Sequence, residues 1–201
     1  MSQQTNTMNY LDENDHGLFQ ELKTQLEATD SAGDVGVSAA GGIADLCKKY
    51  HQIKGTLELA LKAVAKIPFI GAKVVKAIRF LMSVADFACP VGGGGVNLAS
   101  AETITDSSSS MMSLSLEQIA AFEHLDAAIN STGSYGFDAS SSMAAMSFDK
   151  AEICSQYNKV RKFIKPVLPI IALIPGVGAT VVAAINLLMG IADSICGGGN
   201  N

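Results

Sequence analysis

Tryptophan is absent from this 201-residue chain, aromatic residues make up only 6% of it, and charged residues 16%. So few aromatics leave little with which to stack bases or sugars. Soluble domains usually carry about 25% charged residues, so this surface has unusually little charge to spread. The chain is also 48% hydrophobic with a mean hydropathy of +0.28, which excludes a disordered polypeptide, since such chains are polar and charge-rich. A net charge of −5 and a pI near 5.1 exclude the basic surface that phosphate binding requires, so no nucleic-acid partner is expected. No Ser-His-Asp order, phosphate loop or pair of catalytic carboxylates stands out, and neither catalysis nor a cofactor is expected. The glycines Gly92 to Gly95 lack both the Lys-Ser/Thr ending and the preceding strand of a phosphate loop.

What is present is a duplication. A shift of 107 lays residues 44–89 on 151–196 without a gap. Cys47 meets Cys154, Tyr50 meets Tyr157, Ile67-Pro68 meets Ile174-Pro175, and Gly71-Ala72 meets Gly178-Ala179. Further along, Val74-Val75 meets Val181-Val182, Leu81-Met82 meets Leu188-Met189, Ala85-Asp86 meets Ala192-Asp193 and Cys89 meets Cys196. A weaker match at a shift of 103 pairs Phe19, Leu22, Leu26 and Thr29 with Phe122, Leu125, Ile129 and Thr132. Charge follows the same order: residues 1–33 carry −5, 34–97 carry +4, 98–153 carry −7 and 154–201 carry +3.

The expected organisation is a polar tail (1–8), a first repeat (9–89, with a hairpin over 43–89), and a Gly/Ser-rich linker (90–113). A second repeat (114–196, with a hairpin over 150–196) and a Gly/Asn tail (197–201) complete it. Apolar residues recur at helical spacing in Leu18, Phe19, Leu22 and Leu26, and again in Ile119, Phe122, Leu125 and Ile129. Ser115 and Gln118 have the spacing of a capping box. Each repeat therefore reads as an acidic amphipathic helix followed by an apolar antiparallel helical hairpin. The fold class is all-α, about six helices in a pseudo-symmetric bundle.

Counting fixes what faces what. Pro68 lies 21 residues from both Cys47 and Cys89, and Pro175 lies 21 from both Cys154 and Cys196. With Pro68 and Gly71, and Pro175 and Gly178, in the two turns, each cysteine pair meets at a hairpin's open end. Disulfides Cys47–Cys89 and Cys154–Cys196 are predicted. The same count sets Tyr50 beside Asp86 and Tyr157 beside Asp193, close enough for each hydroxyl to donate to a carboxylate. Cys47 and His51 share the i, i+4 spacing of half a zinc site, but the second copy has Asn158 where His51 stands, so no metal site is expected.

Lys73, Lys76 and Arg79 form a basic stripe whose counterparts Thr180, Ala183 and Asn186 carry no charge. From Phe163 to Ile195 only Lys165 and Asp193 are charged, and Pro166 and Pro169 are expected to kink or break their helix. A helix apolar all round belongs in a core, an interface or lipid. Val181, Val182, Ile185, Leu188 and Met189 are accordingly the expected interface or membrane face. Both turns are apolar, so both tips are expected to be covered.

Two functions follow from these features. One is a non-catalytic structural protein that self-assembles through its hairpins into homo-oligomers or polymers, acidic segments meeting basic ones within or between chains. The other is a membrane-active protein that inserts an apolar hairpin into an anionic membrane. No signal peptide is visible, whereas disulfides need an oxidising compartment. Non-classical secretion is expected if the disulfides form, and a cytoplasmic location if they do not. Asn130-Ser131-Thr132 matches a glycosylation triplet.

Overall fold

The structure, a computed structural model, describes residues 11–28, 42–90, 114–132 and 149–197. The 1–8 tail, the linker beyond Pro90 and the last tail residues lie outside the described residues. Among the described residues there are six helices: α1 (Glu13–Ala28), α2 (Ile43–Ala65), α3 (Gly71–Ala88), α4 (Leu116–Ser131), α5 (Lys150–Ala172) and α6 (Gly178–Cys196). There is no strand among the described residues, and the helices pack as a bundle.

Local chemistry starts the helices. Asp12 and Asp15 cap α1 reciprocally, each backbone N–H donating to the other's carboxylate at 2.9 Å. Ser115 and Gln118 close the predicted capping box on α4, and the Asp149 carboxylate accepts from Ala151 N–H at the start of α5. Helix α5 contains Pro166 and Pro169 yet runs to Ala172, so neither proline breaks it. Both prolines are exposed, as are Lys162 and Lys165, whose carbonyls lose their helical partners on the solvent side of the helix, where hydration costs less than burial without a partner.

The hairpins α2–α3 and α5–α6 close through the same turn. Gly71 N–H donates to Ile67 C=O, and Gly178 N–H to Ile174 C=O, both at 2.9 Å. A Cβ at Gly71 would collide with the carbonyl of Val64, and one at Gly178 with that of Ile171, so no side chain fits at either position. One residue in each turn has positive φ: Gly176 at 79° and, at the matching position, Phe69 at 64°. Glycine adopts this conformation freely, whereas a residue with a Cβ is disfavoured by roughly 1–2 kcal/mol.

The apolar residues predicted for the hairpins form one core. Ile53, Leu57, Leu61 and Val64 of α2 are buried, as are Val74, Val75, Ile78 and Leu81 of α3. Of their equivalents on α5 and α6 all are buried but Leu168 and Val182, which are half-buried. Phe19 and Leu22 of α1 are buried, and so are Phe122 and Leu125 of α4, so the weak match at a shift of 103 reflects real equivalence. Helices α3 and α6 pack together at the centre. Each acidic helix lies on the first hairpin helix of its own repeat and the second of the other: α1 on α2 and α6, α4 on α5 and α3. Exchanging the two repeats reproduces this pattern, as an approximate twofold axis requires.

Both hairpin tips lie at one end of the bundle. Lys66, at the end of α2, bonds Asp12 and Asp15 at the start of α1. Beside them the His16 ring packs on Gly176 in the second turn, where a Cβ would lie 3.2 Å from it. Helix α4 runs parallel to α3, with Glu123 on Lys73 and Asp126 on Lys76, so its first residue, Leu116, points toward the same end.

Candidate functional site

The two ends of the bundle differ in character. At the open end both predicted disulfides are present, Cys47–Cys89 with Cα atoms 5.3 Å apart and Cys154–Cys196 with 5.2 Å, and no described cysteine is free. Cys47 is thereby committed to sulfur, and the Cys47/His51 pair has no thiolate to offer a metal. One turn inside each disulfide, Tyr50 donates to Asp86 at 2.7 Å and Tyr157 to Asp193 at 2.6 Å. Burial first, and the neighbouring carboxylate second, push both tyrosines well above their ordinary range.

Each carboxylate also holds a cation that the sequence reading did not single out. Lys54 Nζ reaches Asp86 at 2.6 Å, and Arg161 Nη2 reaches Asp193 at 2.9 Å. The signal was available, because a shift of 107 places Lys54 on Arg161, one helical turn after each tyrosine. This Tyr–Asp–cation group satisfies a carboxylate set between two helices and pins them together. Its groups are consumed in closing the hairpin.

The basic stripe is used within the chain. Lys73 pairs with Glu123 and Lys76 with Asp126, both at 2.7 Å, across the interface between α3 and α4. Of the face expected to meet a partner or lipid, Val181, Ile185, Leu188 and Met189 are buried in the chain's own core, and Val182 is half-buried. Within the single chain the reason for this burial is geometric. In the bundle α6 turns its larger residues inward onto α3, and its exposed positions include the smaller Ala179, Ala183 and Asn186. By length and composition Gly178–Cys196 could cross a membrane, although 44% of its most apolar stretch is buried in the bundle. The Asn130 triplet lies at the end of α4, where Thr132 is buried and bonds Ile129 C=O at 2.7 Å.

The most exposed large apolar side chains gather at the tip end, while Leu59, Ile43, Phe87 and Phe163 are exposed elsewhere on the bundle. Leu116 is 86% exposed, Leu173 68%, Phe69 50% and Ile119 41%, all on the turns or the first turn of α4. On the second hairpin, Pro166, Pro169, Ala172, Leu173, Pro175 and Gly176 are exposed in succession with no charge among them. Beneath this apolar cap, Lys165 and Lys162 lie about 12 and 16 Å back from Leu173 along α5. On the first hairpin Lys62 lies seven residues before Phe69. These three lysines are exposed and carry no ion pair among the described residues. The acids at this end are Asp12 and Asp15, both engaged by Lys66, together with Glu13 and Glu117 in the first turns of α1 and α4. The N–H of Asp15 and the Lys66 ammonium hold the Asp12 carboxyl below its usual value, while bonding to Asp15 raises Lys66. No protein-family model, curated protein or solved structure matches this chain.

Proposed function

We propose that this is a non-catalytic, membrane-active protein that attaches to a lipid surface by the tip end of its bundle. The observation that carries the reading is the convergence of both apolar turns at one end, with Leu116 and Ile119 beside them. The uncharged last turns of α5 and the lysines at their base fit the layering of a bilayer surface. Apolar groups enter by roughly 5–10 Å while basic side chains meet the phosphates. The two disulfides fit an oxidising, extracellular setting. Self-assembly through the hairpin faces loses support, because those faces form the chain's own core and the stripe lysines already have partners.

Size exclusion with light scattering, combined with flotation on phosphatidylcholine vesicles with and without phosphatidylserine, tests the proposal. A monomer in buffer that floats with vesicles is the expected result. Polymers that form without lipid, or a monomer that floats with neither vesicle, would overturn it.

A further inference from the structure

We infer that Phe69 is the anchor by which the tip end enters lipid, an inference that rests on the proposed membrane attachment and names the residue responsible. Its backbone stands in the left-handed region at φ 64°, where a side chain is disfavoured. The second hairpin makes the same turn with Gly176 at φ 79°, so the fold itself has no need of a phenylalanine there. Nor does the core compensate: Ile67 and Ile70 on either side are buried, while half of the Phe69 surface faces solvent. Strained residues that persist without an internal reason concentrate at sites that act on something else. Here the position lies in a turn, at the same end of the bundle as exposed Leu173 and Leu116 and beyond the exposed lysine Lys62. An aromatic ring in that place gains its free energy on leaving water for the boundary between headgroups and acyl chains.

The test uses the full-length oxidised chain and vesicles of phosphatidylcholine alone or with phosphatidylserine. Phe69→Gly copies the second turn into the first. It should raise the melting temperature and weaken vesicle binding by about tenfold or more, the loss expected for one largely buried phenylalanine ring. Leu59→Ala removes an equally exposed apolar residue of α2, ten residues back from Phe69 and on the far side of Lys62 from the tip, and should leave binding unchanged. Because the chain has no tryptophan, Phe69→Trp introduces a single reporter. Its emission should shift to the blue on vesicles, while that of Leu59→Trp should not. Wild-type binding left intact by Phe69→Gly, or an unshifted emission from vesicle-bound Phe69→Trp, would overturn the anchor and leave membrane attachment standing. A lower melting temperature for Phe69→Gly would remove the strain on which the inference stands. A wild type that binds neither vesicle would instead overturn the proposed function.

Discussion

The two hairpins share everything that closes them and differ in nearly everything that faces outward. Each has a disulfide at its open end, a Tyr–Asp–cation group one turn inside, and a glycine that starts the return helix against a backbone carbonyl. Outside, the first hairpin carries Lys62, Lys66, Lys73, Lys76 and Arg79, whereas the second shows prolines, alanines and a leucine at the corresponding end. The contrast extends to the helices that cover them. Helix α4 offers Glu123 and Asp126 to the lysines of α3, but the matching positions of α1 are Gln20 and Lys23, opposite a helix with Thr180 and Ala183. One interface holds opposite charges on both sides, whereas at the matching positions the other keeps only Lys23 on the α1 side and none on α6. Hairpin closure depends on a few groups with no substitutes, while a helix–helix surface tolerates paired charges or their absence.

If closure is equivalent in the two copies, removing either staple should cost the same. Both disulfides close loops of 42 residues, so the chain-entropy estimate assigns each roughly 4 kcal/mol. Cys47→Ser/Cys89→Ser and Cys154→Ser/Cys196→Ser should lower urea-denaturation stability by similar amounts. Reducing both should leave the chain near or past unfolding, since total stabilities run about 5–15 kcal/mol. A loss confined to one pair would show that one hairpin is held mainly by its neighbours.

The cores should be equivalent as well. Val74→Asp and Val181→Asp each place an unpaired carboxylate among buried residues and should cost about 3–5 kcal/mol. Val182→Asp, half-buried, should cost about 1 kcal/mol. Thermal unfolding checks all three. Tolerance of Val181→Asp alone would mean that α6 is not core, and would return its inner face to the role expected from sequence.

That face shows where sequence ran out. The cysteines, tyrosines, aspartates and turn glycines were legible because duplication and equal spacing fix an antiparallel pairing without any knowledge of tertiary contacts. Helix α6 was legible as apolar but not as oriented: with no polar side, its periodicity has no phase, and core, interface and lipid look alike. The prolines of α5 left kink or break open for a related reason, since a proline facing water costs far less than one whose freed carbonyl is buried. That both tips share one end depends on which helices α1 and α4 lie against, and long-range packing leaves no local mark. The conformation of Phe69 was hidden in the same way, its one trace being alignment with a glycine.

The smallest effect bears on whether the two covering interfaces are geometrically the same. Lys76 and Asp126 are partly exposed, at 48% and 21% of their side chains, so a double-mutant cycle should give a coupling of only about 0.5 kcal/mol, shrinking in 1 M salt. The equivalent positions between α6 and α1 are Ala183 and Lys23, both exposed. Ala183→Lys alone sets a cation toward Lys23 and should be neutral or slightly destabilising. Combined with Lys23→Asp it should recover a coupling of similar size, if α1 sits on α6 in the register that α4 holds on α3. The second variant also removes the exposed Lys23–Glu27 pair, so the cycle must include Lys23→Asp by itself. A coupling of zero would mean that α1 meets α6 in a different register from α4 on α3, and the approximate twofold would then hold for the hairpins but not for the helices laid over them.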